Sequence, residues 1–284
     1  MREIQVSVVM PCRNDGSTLF EATASIGLEA QPQVELIVVD DGSDDGETLR
    51  ALEALESRGI CVLHTAGEGP SAARNAGIRA AQGRYILPLD ADDRNEPAYI
   101  AAAKAVLDDD PVCGAVYCHA DLFGAASGPW MLPEYSPERM LVENVVFVTA
   151  MFRKEDWAAV GGFRTDMRDG LEDYDFFLGL LESGKTIRQL PEVYFHYRIK
   201  PKSRTTRLLE DAGATKRAYR SVFEHHQAYY EAHWREAICL LRDEAVQQRY
   251  EKERLAEING LFARLRRLPL AKRLARRLMK RPEG

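Results

Sequence analysis

Arg84-Tyr-Ile-Leu-Pro-Leu-Asp90-Ala-Asp92-Asp93 opens with an apolar run and closes with three carboxylates in four residues. The run reads as a buried strand. Carboxylates this close repel one another, so their clustering at a strand end needs a cation or open solvent. Hard oxygen donors suit Mg²⁺ or Mn²⁺, and Mg²⁺ commonly takes one or two carboxylates together with substrate phosphates. The same residues also suit a polar loop before a helix, with Asp93 and Glu96 favouring a helix start at Pro97. On the residues alone, both readings stand.

Outward from this segment, apolar runs alternate with helix-forming ones. Strands are expected at 5–11, 34–40, 60–64, 84–90 and 112–119. Helices are expected at 17–29 (Ser17 as N-cap), after Gly46 to about residue 57, at 71–81 and from Pro97 to about residue 107. Continuous apolar strands between helices predict a mostly parallel sheet covered on both faces. Such sheets hold ligands beyond the carboxyl ends of their strands. Three of those ends carry Asn14-Asp15, Asp40-Asp41 and Asp90-Ala-Asp92-Asp93. Residues 122–144, rich in Gly, Pro and aromatics, read as an irregular loop. Beyond it come a strand at 145–149, a short helix at 153–160, a helix at 171–183 and short strands at 187–190 and 193–198. Helix formers dominate from residue 206, which places a domain boundary near 205.

The chain has 284 residues, 45% hydrophobic and 29% charged, which excludes a disordered, collagenous or disulfide-scaffold protein. No apolar run approaches the roughly 20 residues of a spanning helix, and the first is too short for a signal-peptide core. Five cysteines without a Cys-x-x-Cys pair suggest a reducing compartment, with the thiols as small buried residues. Net charge is −6, yet residues 264–281 carry nine Lys/Arg and no Asp/Glu. An acidic body with a basic end argues against general nucleic-acid binding. Leu270, Leu274 and Leu278 recur every four residues among those cations, as in a basic amphipathic helix lying on an anionic membrane. A solvated end, or a helix packed on the body or on a second subunit, fits as well. The helical segment 236–265 offers a route to homo-oligomers.

Two smaller motifs admit two readings. Asp40-Asp41-Gly-Ser can bind ribose hydroxyls or base N–H groups, or simply form a turn and helix cap. Gly67-x-Gly69-x-x-Ala72, with Asp90 downstream, imitates a dinucleotide fingerprint, although Pro70 is awkward where backbone N–H groups are wanted. It supports a dinucleotide-dependent oxidoreductase as an alternative. Glu172-Asp173-x-Asp175 opens a helix, where the dipole favours acids; held at a cleft, one of them would suit a general base.

The ordered set Val6-Ser-Val-Val-Met-Pro11-x-x-Asn14, Val39-Asp-Asp-Gly-Ser43, Gly69-x-x-x-Ala-Arg74-Asn-x-Gly77, Leu89-Asp-Ala-Asp-Asp93, Val160-Gly-Gly-Phe163 and Glu172-Asp173 resembles family 2 inverting glycosyltransferases of the GT-A fold. The resemblance covers about residues 4–200. It implies an α/β, Rossmann-like GT-A domain, here over 1–205; the helix-forming remainder, 206–284, reads as a C-terminal helical extension. It further implies that Pro11, Arg13 and Asn14 line the nucleotide pocket, that Asp41 contacts the base, and that Arg74 lies near the nucleotide. Asp90 would contact the nucleoside, and Asp92 would hold Mn²⁺ or Mg²⁺ on the diphosphate. Glu172 would face substrate, and Asp173 would take the acceptor proton. His196 and Arg198 would close over metal or phosphates, His196 as a metal ligand.

The expected partners are a nucleotide sugar, with a UDP-sugar favoured, and a saccharide or lipid-linked acceptor. A cytoplasmic enzyme peripheral to the inner membrane face, serving bacterial surface polysaccharide assembly, is the expected setting. Gln-x-x-Arg-Trp does not occur, so a processive polymerase that also secretes its product is not expected. A glycosyltransferase-like scaffold without activity is the other alternative, against which Asp92 and Asp173 both stand.

Overall fold

A computed structural model describes residues 3–201 and 210–267, with side chains through 260. The order is β1 (Val6–Cys12), α1 (Gly16–Ser25), β2 (Val34–Asp40), α2 (Gly46–Ser57), β3 (Cys61–His64), α3 (Pro70–Ala80), β4 (Tyr85–Pro88), β5 (Arg94–Asn95) and α4 (Pro97–Asp109). There follow β6 (Cys113–Gly124), β7 (Gly128–Pro129), β8 (Met151–Arg153), α5 (Lys154–Ala159), α6 (Glu172–Glu182), β9 (Thr186–Ile199), α7 (Ala212–His225) and α8 (Gln227–Arg267).

The sheet runs β3-β2-β1-β4-β8-β6-β9-β5, with β7 paired to β6. The first four strands are parallel, as is β9 beside β6; β8 lies antiparallel between β4 and β6, and β5 antiparallel to β9. Six of the seven β1 residues are buried, as are five consecutive residues of β2. Unbroken burial means both faces of the sheet are covered. The chain leaves β1 toward β2 on one side and β4 on the other, which opens a switch-point crevice at their carboxyl ends. Residues 13–15 and 90–93 stand there. Helix α3 packs very close to the sheet: a Cβ on Gly77 would lie 2.5 Å from Val9 Cγ1 and 2.9 Å from Val39 Cγ2.

Several elements differ from expectation. Helix α1 starts at Gly16 with Asp15, not Ser17, at the N-cap position. The chain at 145–149 is not a strand; Val145, Val146 and Phe147 are buried in irregular backbone and the strand begins at Met151. An apolar run records burial, and burial does not require a ladder. The two short strands read around Pro191 are one strand, β9. Its pairing with β6 shifts register between Cys118 and His119, opposite Leu190 and Val193, so the proline, lacking an N–H, sits where the ladder is interrupted. Cys12, Cys113 and Cys118 are buried, but Cys61 and Cys239 are exposed.

The chain parts into two compact units, the first ending at Ala232 and the second starting at His233, where α8 has a non-helical residue (φ −116°, ψ 15°). The boundary expected near 205 lies outside the described residues, and α7 belongs to the first unit. In the second unit α8 continues, with Trp234, Ile238, Leu241, Tyr250 and Leu255 exposed. The leucines at 270, 274 and 278 lie outside the described residues. No described helix is long and apolar enough to cross a membrane.

Candidate active site

The ends of β1 and β2 are tied together by Asn14. It takes a left-handed conformation (φ 59°), which asparagine tolerates better than most residues. Its Oδ1 accepts from Asp44 N (3.0 Å), its Nδ2 donates to Asp44 Oδ1 (2.8 Å), and its N–H donates to Ser43 Oγ (3.0 Å). Pro11 is half-buried in β1 opposite Val39. Arg13 is exposed, its guanidinium against Gly67.

Asp41 is buried and serves its own loops. Its Oδ1 accepts from Thr65 Oγ1 (2.7 Å) and Glu68 N (2.9 Å), and its Oδ2 from Gly69 N (2.8 Å). This disposes of the dinucleotide fingerprint. The loop N–H groups that would cradle a pyrophosphate are occupied by Asp41, and Pro70 starts α3.

The carboxylates of Asp90, Asp92 and Asp93 each offer an oxygen within 4.8 Å of the others. Burial, reinforced by Asp92 and Asp90, pushes the Asp93 carboxyl well above the ordinary range. Burial and Asp90 push Asp92 up too, against the opposing pull of Lys200. Crowded, partly desolvated oxygen donors are what a hard divalent cation relieves, so this set fits Mg²⁺ or Mn²⁺. His196 is not brought to it. The antiparallel pairing of β5 with β9 sets His196 opposite Arg94, and its Nε2 lies 3.1 Å from Glu96 Oε1.

Arg198 is likewise engaged with protein rather than open to phosphates. Its N–H donates to Asp93 Oδ1 (2.7 Å) and its Nε to the Asp92 carbonyl (2.6 Å). Its Nη2 pairs with Glu21, and its guanidinium stacks 4.3 Å from the Phe123 ring centroid. Asp93 is therefore a buried acceptor that fastens β9 to the aspartate loop. The helix cap read from the sequence is not formed: Glu96, the residue before α4, makes no side-chain cap bond.

Arg74 is buried and bridges two carboxylates: Nη2 donates to Asp90 Oδ1 (2.6 Å) and Nη1 to Glu172 Oε1 (2.9 Å). Burial opposes its charge, but the two acids outweigh that and raise its pKa. Thus Glu172 is oriented by Arg74, and Asp173 follows it at half-exposure, accepting from Tyr174 N (2.8 Å). Leu171, just before the helix, has φ 65°. A non-glycine residue there is strained, as is common beside functional groups. Asn75 completes this side, with Nδ2 donating to the Phe163 carbonyl (2.6 Å) and Oδ1 accepting from Phe163 N (3.0 Å) and Trp157 Nε1 (3.1 Å). The Gly161-Gly162-Phe163 turn is thereby fixed to α3.

The sequence marks Asp15 only as part of a polar strand end, and Lys200 not at all. Lys200 Nζ lies 2.8 Å from Asp15 Oδ1 and 2.8 Å from Asp92 Oδ2. A single lysine in a polar segment has no period or spacing to mark it.

Residues 7–155 match the model of glycosyl transferase family 2. Over 228 residues the chain is 30% identical to the O-antigen biosynthesis protein RfbC of Myxococcus xanthus, covering 78% of this chain and 18% of that protein. The chain thus spans about a fifth of that relative's length. Among solved structures it resembles Staphylococcus aureus TarS 1-349 in complex with UDP, at TM-score 0.57 and 22% identity, covering 72% of this chain and 63% of that one. It also resembles the mannosyltransferase PcManGT of Pyrobaculum calidifontis in complex with GDP-Man and Mn²⁺, at TM-score 0.56 and 19% identity, covering 90% and 83%. The fold is the GT-A architecture expected from the motifs, and the chain belongs to glycosyl transferase family 2.

Proposed function

We propose that this chain is an inverting, metal-dependent transferase that moves a sugar from a nucleotide-sugar donor to an acceptor hydroxyl. One observation carries the reading: the buried guanidinium of Arg74 joins Asp90, in the aspartate cluster, to Glu172, the neighbour of Asp173. This link ties the aspartate cluster to the start of α6, which supports a cation site and a base acting on one substrate. Inverting transfer needs that pairing, a base on the attacking hydroxyl and positive charge for the departing diphosphate. Asp92, with Asp90 beside it, would hold Mn²⁺ or Mg²⁺, which when bound supplies that positive charge. Asp173 accepts the hydroxyl proton, and Glu172, held by Arg74, fixes the start of α6. An α-linked donor then gives a β-linked product.

The UDP bound to TarS and the GDP-Man and Mn²⁺ bound to PcManGT support a nucleotide-diphosphate sugar as donor class, with a UDP-sugar favoured. RfbC's role in O-antigen biosynthesis supports a saccharide acceptor, and the basic end supports one carried on lipid at the inner membrane face. We assign the transfer chemistry to residues 1–205 and a docking role to the helical remainder. Nucleotide sugars incubated with the full chain and Mn²⁺ test the proposal. Asp92→Ala should abolish release of the nucleoside diphosphate while leaving the circular dichroism spectrum unchanged. Full activity in that variant, or in excess chelator, would remove the metal from the account.

A further inference from the structure

Lys200 lies one residue beyond β9 and two beyond Arg198, which fastens that strand to the Asp92–Asp93 loop. The anchored strand end delivers its ammonium to two carboxylates at once: Asp15, before α1, and Asp92. All three side chains are a quarter to a third exposed, so solvent only partly screens them. Lys200 thus sets a positive charge 2.8 Å from the carboxylate that we propose as the holder of a divalent cation.

We propose that Lys200 is an internal competitor of the divalent cation at Asp92, holding the Asp15–Asp92 pair in the donor-free enzyme and giving way when a cation and a diphosphate arrive. The argument is one of charge. An ammonium 2.8 Å from Asp92 Oδ2 neutralises the ligand a cation requires and would stand as a like charge beside any cation that bound it. At such separations in a partly desolvated site, like charges repel strongly. An incoming diphosphate changes the balance, because it offers the ammonium an anionic partner as strong as the one it leaves. The cation would then bind weakly alone and well with nucleotide, and donor-free enzyme would be kept from holding an idle metal. The inference rests on Asp92 as the metal residue, as proposed above.

The test is direct titration of the full chain with Mn²⁺ at pH 7.5, following free Mn²⁺ by its electron paramagnetic resonance signal, with and without UDP. Lys200→Met should bind Mn²⁺ alone at least tenfold more tightly than wild type, and Lys200→Arg, which keeps the charge, should stay near wild type. UDP should narrow the gap between wild type and Lys200→Met. Equal affinity of wild type and Lys200→Met for Mn²⁺ alone would overturn the competition. Asp92→Asn separates the two ideas. If it binds Mn²⁺ as wild type does, the metal assignment itself fails; if it loses binding while Lys200→Met gains none, only the role of Lys200 fails. Absence of Mn²⁺ binding in both wild type and Lys200→Met, with or without UDP, would overturn both.

Discussion

Arg74 shows how a local motif can single out a residue and leave its partners unread. The resemblance of Gly69-x-x-x-Ala-Arg74-Asn-x-Gly77 marks it as a residue near the nucleotide; that its guanidinium holds both Asp90 and Glu172, the latter 98 positions away, no local pattern could say. Breaking a buried ion pair by removing one partner leaves the other charge uncompensated, at a cost of about 3–5 kcal/mol. Arg74→Ala should lower the stability measured by urea unfolding by about that much. Arg74→Lys should recover only part, because one ammonium does not reproduce a planar two-acceptor fork. An Arg74→Ala midpoint equal to wild type would show that the bridge contributes nothing. The aspartate cluster was legible because three carboxylates in four residues at a strand end stand out, and the structure does bring oxygens of Asp90, Asp92 and Asp93 within 4.8 Å of one another. Lys200 was not, because its meaning lies in a contact with Asp15 across 185 positions. His196 was misplaced because pairing partners in a sheet edge, not sequence neighbours, decide what a ring faces.

At the scale of elements, the strands were the most legible part, since buried parallel strands are written as unbroken apolar runs. Strand β9 was split because a proline looks like an end when it sits in a register shift. The seat of α3 turns on one glycine: Gly77→Ala would place a methyl within 2.5 Å of Val9 Cγ1. Overpacking of this kind costs about 1–3 kcal/mol, so thermal unfolding of that variant should begin well below wild type; an unchanged midpoint would mean that α3 shifts freely. Helix α6 is held to the C-terminal end of α7 by ionic contacts. Asp175 Oδ1 lies 2.6 Å from His225 Nδ1 and 3.5 Å from His226 Nε2, Arg164 meets Asp175 Oδ2, and His226 Nδ1 meets Glu182 at 2.8 Å. Asp166 faces His225 from the other side. Burial opposes charge on His226, but Asp175 and Glu182 outweigh it and raise its pKa. Burial also opposes charge on Asp175, but the two histidines outweigh it and lower its pKa. The raised histidine stabilises the fold fully below its unfolded value of about 6.5 and loses this as pH rises through its folded value. The lowered aspartate stabilises it above about 3.9 and loses this as pH falls through its folded value. The unfolding midpoint of wild type should therefore exceed that of His226→Gln most between about pH 4 and 6.5, with the difference shrinking toward pH 9. A difference that does not vary with pH would assign His226 a packing role only.

For the whole molecule, the acidic body with a basic end is a statement of charge that the sequence alone makes; six of the nine Lys/Arg of residues 264–281 lie among the last seventeen residues, outside the described ones. Clustered Lys/Arg near an anionic leaflet contribute about 1 kcal/mol each. The full chain should co-sediment with vesicles containing anionic lipid and not with neutral ones, and a chain ending at Arg264 should lose that binding; equal binding of the two chains would assign the tail another role. The central claim, however, is that a donor-binding crevice and a base act on one transfer. The most direct measurement of it is turnover of the preferred nucleotide sugar by Asp173→Asn, set beside its donor affinity. The variant keeps the shape of the side chain and removes the proton acceptor, so turnover should fall about 10²-fold or more while donor binding stays near wild type. Near-normal turnover in Asp173→Asn would contradict the account, and a dead Glu172→Gln beside it would move the base to Glu172.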